Sequence, residues 1–172
     1  MKFINAGALE IAYYDHGPID GHPVVLLHGF PYDVSAYDEV VNLLTAEGMR
    51  CLVPYLRGFG PTRFLDDAIP RSGEQAALGA DLIAFIKALG ISLPIVAGYD
   101  WGGRAACVAA ALWPDRIRGL VSCGTGYNIQ NICNASEPTD PEAEHRLWYQ
   151  YYLHSGRGYS ALKNNRDEFC KY

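Results

Sequence analysis

The sequence predicts an α/β protein, a mostly parallel sheet flanked by helices. Three observations predict it. Short apolar runs at 24–27, 51–54 and 95–97 have the continuous character of strands buried on both faces. Between them lie stretches of helical spacing, clearest at Leu78, Leu82, Phe85, Ile86 and Leu89. From Pro94, an apolar run, a sharp turn through Gly98-Tyr99-Asp100-Trp101-Gly102-Gly103 and a helix of mostly small residues follow within about twenty residues.

Residues 3–4 and 9–14 read as two short antiparallel strands joined at Asn5-Ala6-Gly7. Asp15-His16-Gly17-Pro18 and Asp20-Gly21 form a turn-rich loop. The strand at 24–27 ends in His28-Gly29-Phe30-Pro31. Ser35 is placed to N-cap a helix carrying Tyr37, Val40, Val41 and Leu44, with Gly48 as its stop. The strand at 51–54 opens into a glycine-rich loop, Tyr55-Leu56-Arg57-Gly58-Phe59-Gly60-Pro61-Thr62. Ser72, with Gln75 three residues on, has the form of a capping box for a helix through Leu89-Gly90. After the strand at 95–97 comes a helix from about Gly102 to Trp113, stopped by Pro114, and a strand at 117–123. Beyond Tyr127 the pattern changes: 128–141 is polar and irregular, and 142–172 is one or two helices crowded with aromatics. The division expected is therefore a core at 1–127 and a separate helical element at 128–172, over the carboxyl edge of the sheet.

The 172 residues suffice for one domain with a real core, and a formal charge of −5 without a basic stripe argues against nucleic acid. No apolar run approaches the ~20 residues of a membrane span, and MKFINAGALE lacks a signal peptide's apolar centre, so a cytoplasmic protein is expected. Five cysteines (Cys51, Cys107, Cys123, Cys133, Cys170) are scattered without C-x-x-C spacing. They read as small buried residues rather than a disulfide framework. The five histidines are not at metal-ligand spacing, and no metal is expected.

The chemistry concentrates at Asp100. Gly98-x-Asp100-x-Gly102 has the form of a nucleophile elbow, with an aspartate where a serine often sits. Such a turn strains the backbone at the nucleophile, and side chains at Gly98 and Gly102 would collide with strand and helix. Asp100 then stands at the carboxyl end of a strand, beside a helix N-terminus whose N–H groups favour negative charge. The plainer reading is a βα turn with Asp100 as an ordinary N-cap.

With His28-Gly29-Phe30-Pro31 and this elbow both at strand ends, in that order and about seventy residues apart, the sequence resembles the α/β-hydrolase fold. Arg57-Gly58-Phe59-Gly60 resembles that family's R-G-x-G loop, and Trp113-Pro114-Asp115-Arg116 the helix end before its next strand. Within the superfamily, an elbow aspartate resembles the epoxide hydrolases and the haloalkane or haloacetate dehalogenases. A carboxylate can open an epoxide or expel halide, leaving an alkyl-enzyme ester that water cleaves. The resemblance implies an oxyanion hole from the backbone N–H groups of Phe30 and Trp101. It implies structural roles for His28, Gly29, Pro31, Gly98, Gly102 and Gly103. Trp101 can also be core packing. Trp148-Tyr149-Gln150-Tyr151-Tyr152-Leu153 resembles the Y-Q-x-Y-F stretch that opens the lid of epoxide hydrolases. This gives Tyr149 the role of hydrogen-bonding the epoxide oxygen, since a phenol can stabilise a developing alkoxide. On the plainer reading those aromatics only pack the lid. Haloacetate dehalogenases tend instead to carry a His-Trp pair there and a basic residue after the nucleophile, where this chain has Tyr149-Gln150 and Trp101. Tyr99 stands where many epoxide hydrolases have histidine.

The family also takes an acid and a histidine from strands and loops after the lid, the histidine activating the hydrolytic water. His145 and His154 match no catalytic position. The sequence thus resembles about the N-terminal three-fifths of such an enzyme, lacking the last strands and stopping at the beginning of a helical cap. The expectation is slow, near-stoichiometric alkylation of Asp100 by a small apolar epoxide or a halogenated substrate, with little turnover and no cofactor. The strand at 117–123 would form an unprotected edge through which the chain pairs with itself or with a complementing chain. A reading from another class is a non-catalytic hydrolase-fold remnant that binds a small ligand or a partner through that edge.

Overall fold

The computed structural model describes residues 1–124 and 137–169. Among the described residues, seven strands form one mixed sheet: β1 (Lys2–Ala6), β2 (Leu9–His16), β3 (Pro23–Leu27), β4 (Arg50–Pro54), β5 (Arg63–Phe64), β6 (Ile95–Tyr99) and β7 (Gly119–Cys123). Their order is β1-β2-β4-β3-β6-β7, with β5 alongside β2. β3, β4, β6 and β7 are parallel, and β1, β2 and β5 join by antiparallel pairing. Parallel neighbours need crossovers. Here α1 (Asp38–Ala46) links β3 to β4, α2 (Gln75–Ala88) precedes β6, and α3 (Asp100–Leu112) links β6 to β7.

Alternation along the parallel strands divides the core in two. Val25, Leu27, Leu52 and Val96 face Leu78, Leu82, Phe85 and Ile86 of α2 and the alanines Ala105, Ala106 and Ala109 of α3. Val24, Leu26, Cys51 and Val53 face the other way, under Val34, Tyr37 and Val41. Small residues bring α2 and α3 close together: a Cβ on Gly79 would stand 2.5 Å from Val108.

Both expected caps differ. Asp33, not Ser35, caps the first helical segment, its carboxylate accepting the Ser35 N–H at 2.9 Å ahead of a 3-10 turn (Val34–Tyr37). The Ser35 hydroxyl itself donates to Asp33 at 2.7 Å, so the ionised oxygen takes the backbone donor. Ser72 accepts the Glu74 N–H at 3.2 Å in a local turn, and α2 starts only at Gln75, so no capping box forms. Two further boundaries move. The helix after the elbow starts at Asp100 rather than Gly102, and a 3-10 turn (Pro114–Arg116) delays β7 to Gly119.

Among the described residues β7 pairs only with β6, and Leu120 and Val121 are 41% and 50% exposed. Cys123 lies at this edge and is exposed, contrary to the expectation that it is buried; Cys51 is buried.

The chain divides into two compact units, 1–129 and 130–172. The expected boundary at 127/128 lies outside the described residues. The described residues of the second unit form two helices, α4 (Pro141–His154) and α5 (Gly156–Phe169). Asp140 caps α4 by accepting the N–H groups of Glu142 and Ala143 at 3.1 and 3.0 Å, and Pro141 follows at the first helical position. No helix among the described residues is long and apolar enough to cross a membrane.

Candidate active site

β6 runs out extended at Tyr99 (φ −129°, ψ 158°), and Asp100 then takes φ +50° as the first residue of α3. A side chain in this left-handed region costs on the order of 1 kcal/mol. Backbones crowd around it. A Cβ on Gly98 would stand 2.5 Å from the carbonyl carbon of Gly102, and one on Gly102 would overlap the Leu27 carbonyl at the end of β3. The two glycines therefore let β3, β6 and α3 meet at one point. Gly103, one residue on, is also buried.

Opposite Asp100, β3 leads into His28-Gly29-Phe30, with a cis Phe30–Pro31 bond and Pro31 exposed. The Phe30 N–H donates to Asp100 Oδ1 at 2.8 Å. Gly29 makes that approach available, because a Cβ there would be 2.5 Å from Asp100 Cβ and 2.7 Å from Oδ1. The N-cap of α3 is Tyr99 and Asp100 is the first residue of the helix, so the N-cap reading does not hold. Trp101 is half-buried against the core, and its N–H belongs to the first turn of α3, where no helical acceptor exists. The Arg104 guanidinium lies 4.5 Å over the Trp101 ring, with Nε and Nη1 buried and unpartnered among the described residues. Sequence reasoning passed over Arg104; its signal was the i+3 spacing from Trp101 on a helix.

His28 is fully buried. Its Nε2 accepts the Leu56 N–H at 3.1 Å, and Nδ1 lies 3.3 Å from the Gly29 carbonyl, which assigns the hydrogen to Nδ1. Burial pushes the imidazole below its ordinary pKa. Both nitrogens are occupied by backbone, tying the end of β3 to the end of β4. His16 pairs with Cys51 near the start of β4, and His22 precedes β3. These two lie at the opposite ends of the parallel strands, about 16 Å from Asp100 at ~3.3 Å per strand residue. Tyr99 packs 5.9 Å from the Tyr37 ring, and its hydroxyl is buried and unpartnered among the described residues. Tyr37 donates to the Leu27 carbonyl at 2.9 Å.

The Arg57 loop is held from α2. Arg57 makes a bidentate pair with Asp81, Nε to Oδ2 at 2.6 Å and Nη2 to Oδ1 at 2.7 Å, and donates to the Ser72 carbonyl at 2.7 Å. The Asp81 partner was not read from the sequence. In the second unit, Tyr149 is half-buried on α4 and accepts a hydrogen bond from Gln150 Nε2 at 3.4 Å.

A family model described as the alpha/beta hydrolase fold matches residues 22–167. The chain is 32% identical over 127 residues to epoxide hydrolase 3 of Siraitia grosvenorii, covering 74% of this chain and 38% of that protein. It is 36% identical over 117 residues to a haloalkane dehalogenase of Mycolicibacterium paratuberculosis, covering 66% and 37%. A crystal structure from Klebsiella pneumoniae, provisionally described as an epoxide hydrolase, superposes with a TM-score of 0.93 at 45% identity. That match covers 99% of this chain and 56% of the other. The chain thus spans about two-fifths of the length of these curated relatives.

Proposed function

The chain belongs to the alpha/beta hydrolase fold family, and on that premise we propose that Asp100 is the nucleophile of an epoxide-opening reaction. The observation that carries this reading is the Phe30 N–H held 2.8 Å from Oδ1 of a carboxylate standing at φ +50°. With Oδ1 so occupied, Oδ2 is the oxygen that attacks an epoxide carbon. The carbon–oxygen bond of the ring breaks, the new alkoxide takes a proton from the Tyr149 phenol, and a hydroxyalkyl ester of Asp100 remains. Oδ1 then becomes the ester carbonyl oxygen, already seated at the donor that stabilises the oxyanion of hydrolysis, with the Trp101 N–H as the second donor.

Hydrolysis of that ester needs a base. His28 is committed to Leu56, while His16 and His22 lie at the far ends of the parallel strands. None of the three is placed to activate a water at Asp100, so residues 1–124 carry the alkylation half of the reaction in this reading. On the same reading 128–172 is cap sequence, and Tyr149 takes its role from its resemblance to the lid tyrosine of epoxide hydrolases. The substrate is a small apolar epoxide.

Displacement of halide from a haloalkane gives the same kind of ester, and the similarity to a dehalogenase keeps that variant in view. One experiment addresses both. The protein is incubated with styrene oxide or a bromoalkane, and the intact mass is followed with peptide mapping. The reading expects one adduct on Asp100, lost in Asp100→Asn, with Tyr149→Phe slowing the epoxide and sparing the halide. An adduct that persists in Asp100→Asn, or none in the wild type, would falsify it.

A further inference from the structure

Resting on the nucleophilic reading of Asp100, we propose that Arg57 and Asp81 are positioning residues for that reaction. They act through Leu56 and His28 on the Phe30 N–H. The contacts form a continuous path. Asp81 on α2 holds both arms of the Arg57 guanidinium at 2.6 and 2.7 Å. Arg57 directly follows Leu56, whose N–H is the donor to His28 Nε2 at 3.1 Å. His28 is two residues before Phe30, whose N–H reaches Asp100 Oδ1 at 2.8 Å.

The loop needs an external hold. Gly58 (φ +82°) and Gly60 (φ +50°) follow Arg57 at once, and glycines in left-handed turns bring the greatest backbone freedom. Without a clamp, that freedom extends to Leu56 and from there to the His28 ring. Arg57 removes it by bonding in two directions, to Asp81 on α2 and to the Ser72 carbonyl ahead of that helix. The side chains are 10% and 14% exposed, so the pair is drawn away from water, which makes its geometry stiff. A buried ion pair is a poor way to gain stability, because apolar residues of similar volume usually do as well. An apolar pair would not place the Leu56 N–H. The planar, bidentate fork does.

The test compares Arg57→Gln, Asp81→Asn, their double variant and Arg57→Lys with the wild type. Arg50→Gln serves as control; Arg50 pairs with Asp15 at 2.9 Å at the start of β4, at the far end of that strand from Leu56. Two quantities are read: the Phe30 amide proton by 15N–1H NMR, and Asp100 alkylation by styrene oxide as rate constant, half-saturation and final labelled fraction. The expected result is a rate constant lower by about tenfold in each single variant, since sub-ångström misplacement of a reacting group acts on rate. Half-saturation and labelled fraction stay constant, the double variant falls no further, Arg57→Lys is intermediate, and Arg50→Gln matches the wild-type rate. The Phe30 amide shifts upfield and exchanges faster. An unmoved Phe30 amide, or a loss confined to the labelled fraction, overturns the proposal and leaves the pair a fold contact. If Arg57→Gln does not fold, Arg57→Lys and Asp81→Asn carry the same comparison. A wild type that is never labelled defeats the nucleophilic reading instead, and the amide measurement alone then decides the positioning path.

Discussion

One methyl group at Gly29 tests how the nucleophile is held. An alanine Cβ would stand 2.5 Å from Asp100 Cβ, 2.7 Å from Oδ1 and 3.0 Å from Cγ. Carbon atoms settle at about 3.5–4 Å, so the carboxylate must withdraw by about 1 Å. Oδ1 now lies 2.8 Å from the Phe30 nitrogen, and that retreat breaks a hydrogen bond to an ionised acceptor, about 2 kcal/mol. Overpacking adds a cost of about 1–3 kcal/mol. Gly29 is outside the left-handed region, so backbone strain does not enter. A 1 Å error in the position of a reacting group corresponds to about a hundredfold in rate. Under excess epoxide, intact mass gives the labelling rate and urea unfolding gives the stability. Gly29→Ala should label Asp100 about a hundredfold more slowly, with stability lower by about 3–5 kcal/mol. Labelling at the wild-type rate would refute the reasoning. So would lost stability with an intact rate, because the main chain would then have absorbed the methyl.

Two further outcomes are expected. Asp15 accepts Arg50 Nε at 2.9 Å and Lys2 Nζ at 2.7 Å, and the Arg50 guanidinium holds its carboxyl down to about 2 against the opposing effect of burial. Its folded-state pKa lies below the unfolded one, so a stabilisation of about 2 kcal/mol is complete above about pH 4 and is lost as pH falls towards 2. Denaturant unfolding from pH 6 to 2 should show this slope, and Asp15→Asn should flatten it. At the β7 edge, Val121 is 50% exposed, and Val121→Lys should shift the chain towards monomer in light scattering if that edge pairs copies. An unchanged mass would rule that edge out as the contact.

The elements that were legible in the sequence are those whose causes are local. The collisions at Gly98 and Gly102 arise within a few residues of the turn, so the glycine pattern announces the elbow. Leu78, Leu82, Phe85 and Ile86 announce α2 because one helix face must be apolar to pack on the sheet. The caps were misread for a competitive reason: Asp33 offers an ionised acceptor two residues before Ser35, and spacing alone does not rank the two. β5 is two residues long, too short for alternation to register. Its pairing with Leu9 and Glu10 depends on how the chain returns to β2. The Arg57–Asp81 clamp spans 24 positions, and nothing in either residue's neighbourhood names the other. Cys123 was misjudged because a strand reads as apolar whatever covers it, and at β7 the cover is a matter of sheet order.

The left-handed backbone at Asp100 carries its own compensation. Glycine adopts φ +50° freely, so Asp100→Gly would relieve on the order of 1 kcal/mol of steric cost. The same change removes the acceptor of the Phe30 N–H, a bond of about 2 kcal/mol, so the relief of strain is more than offset. The strained turn and the hydrogen bond therefore belong together: the donor that the resting carboxylate engages is what makes the left-handed backbone tolerable at this position.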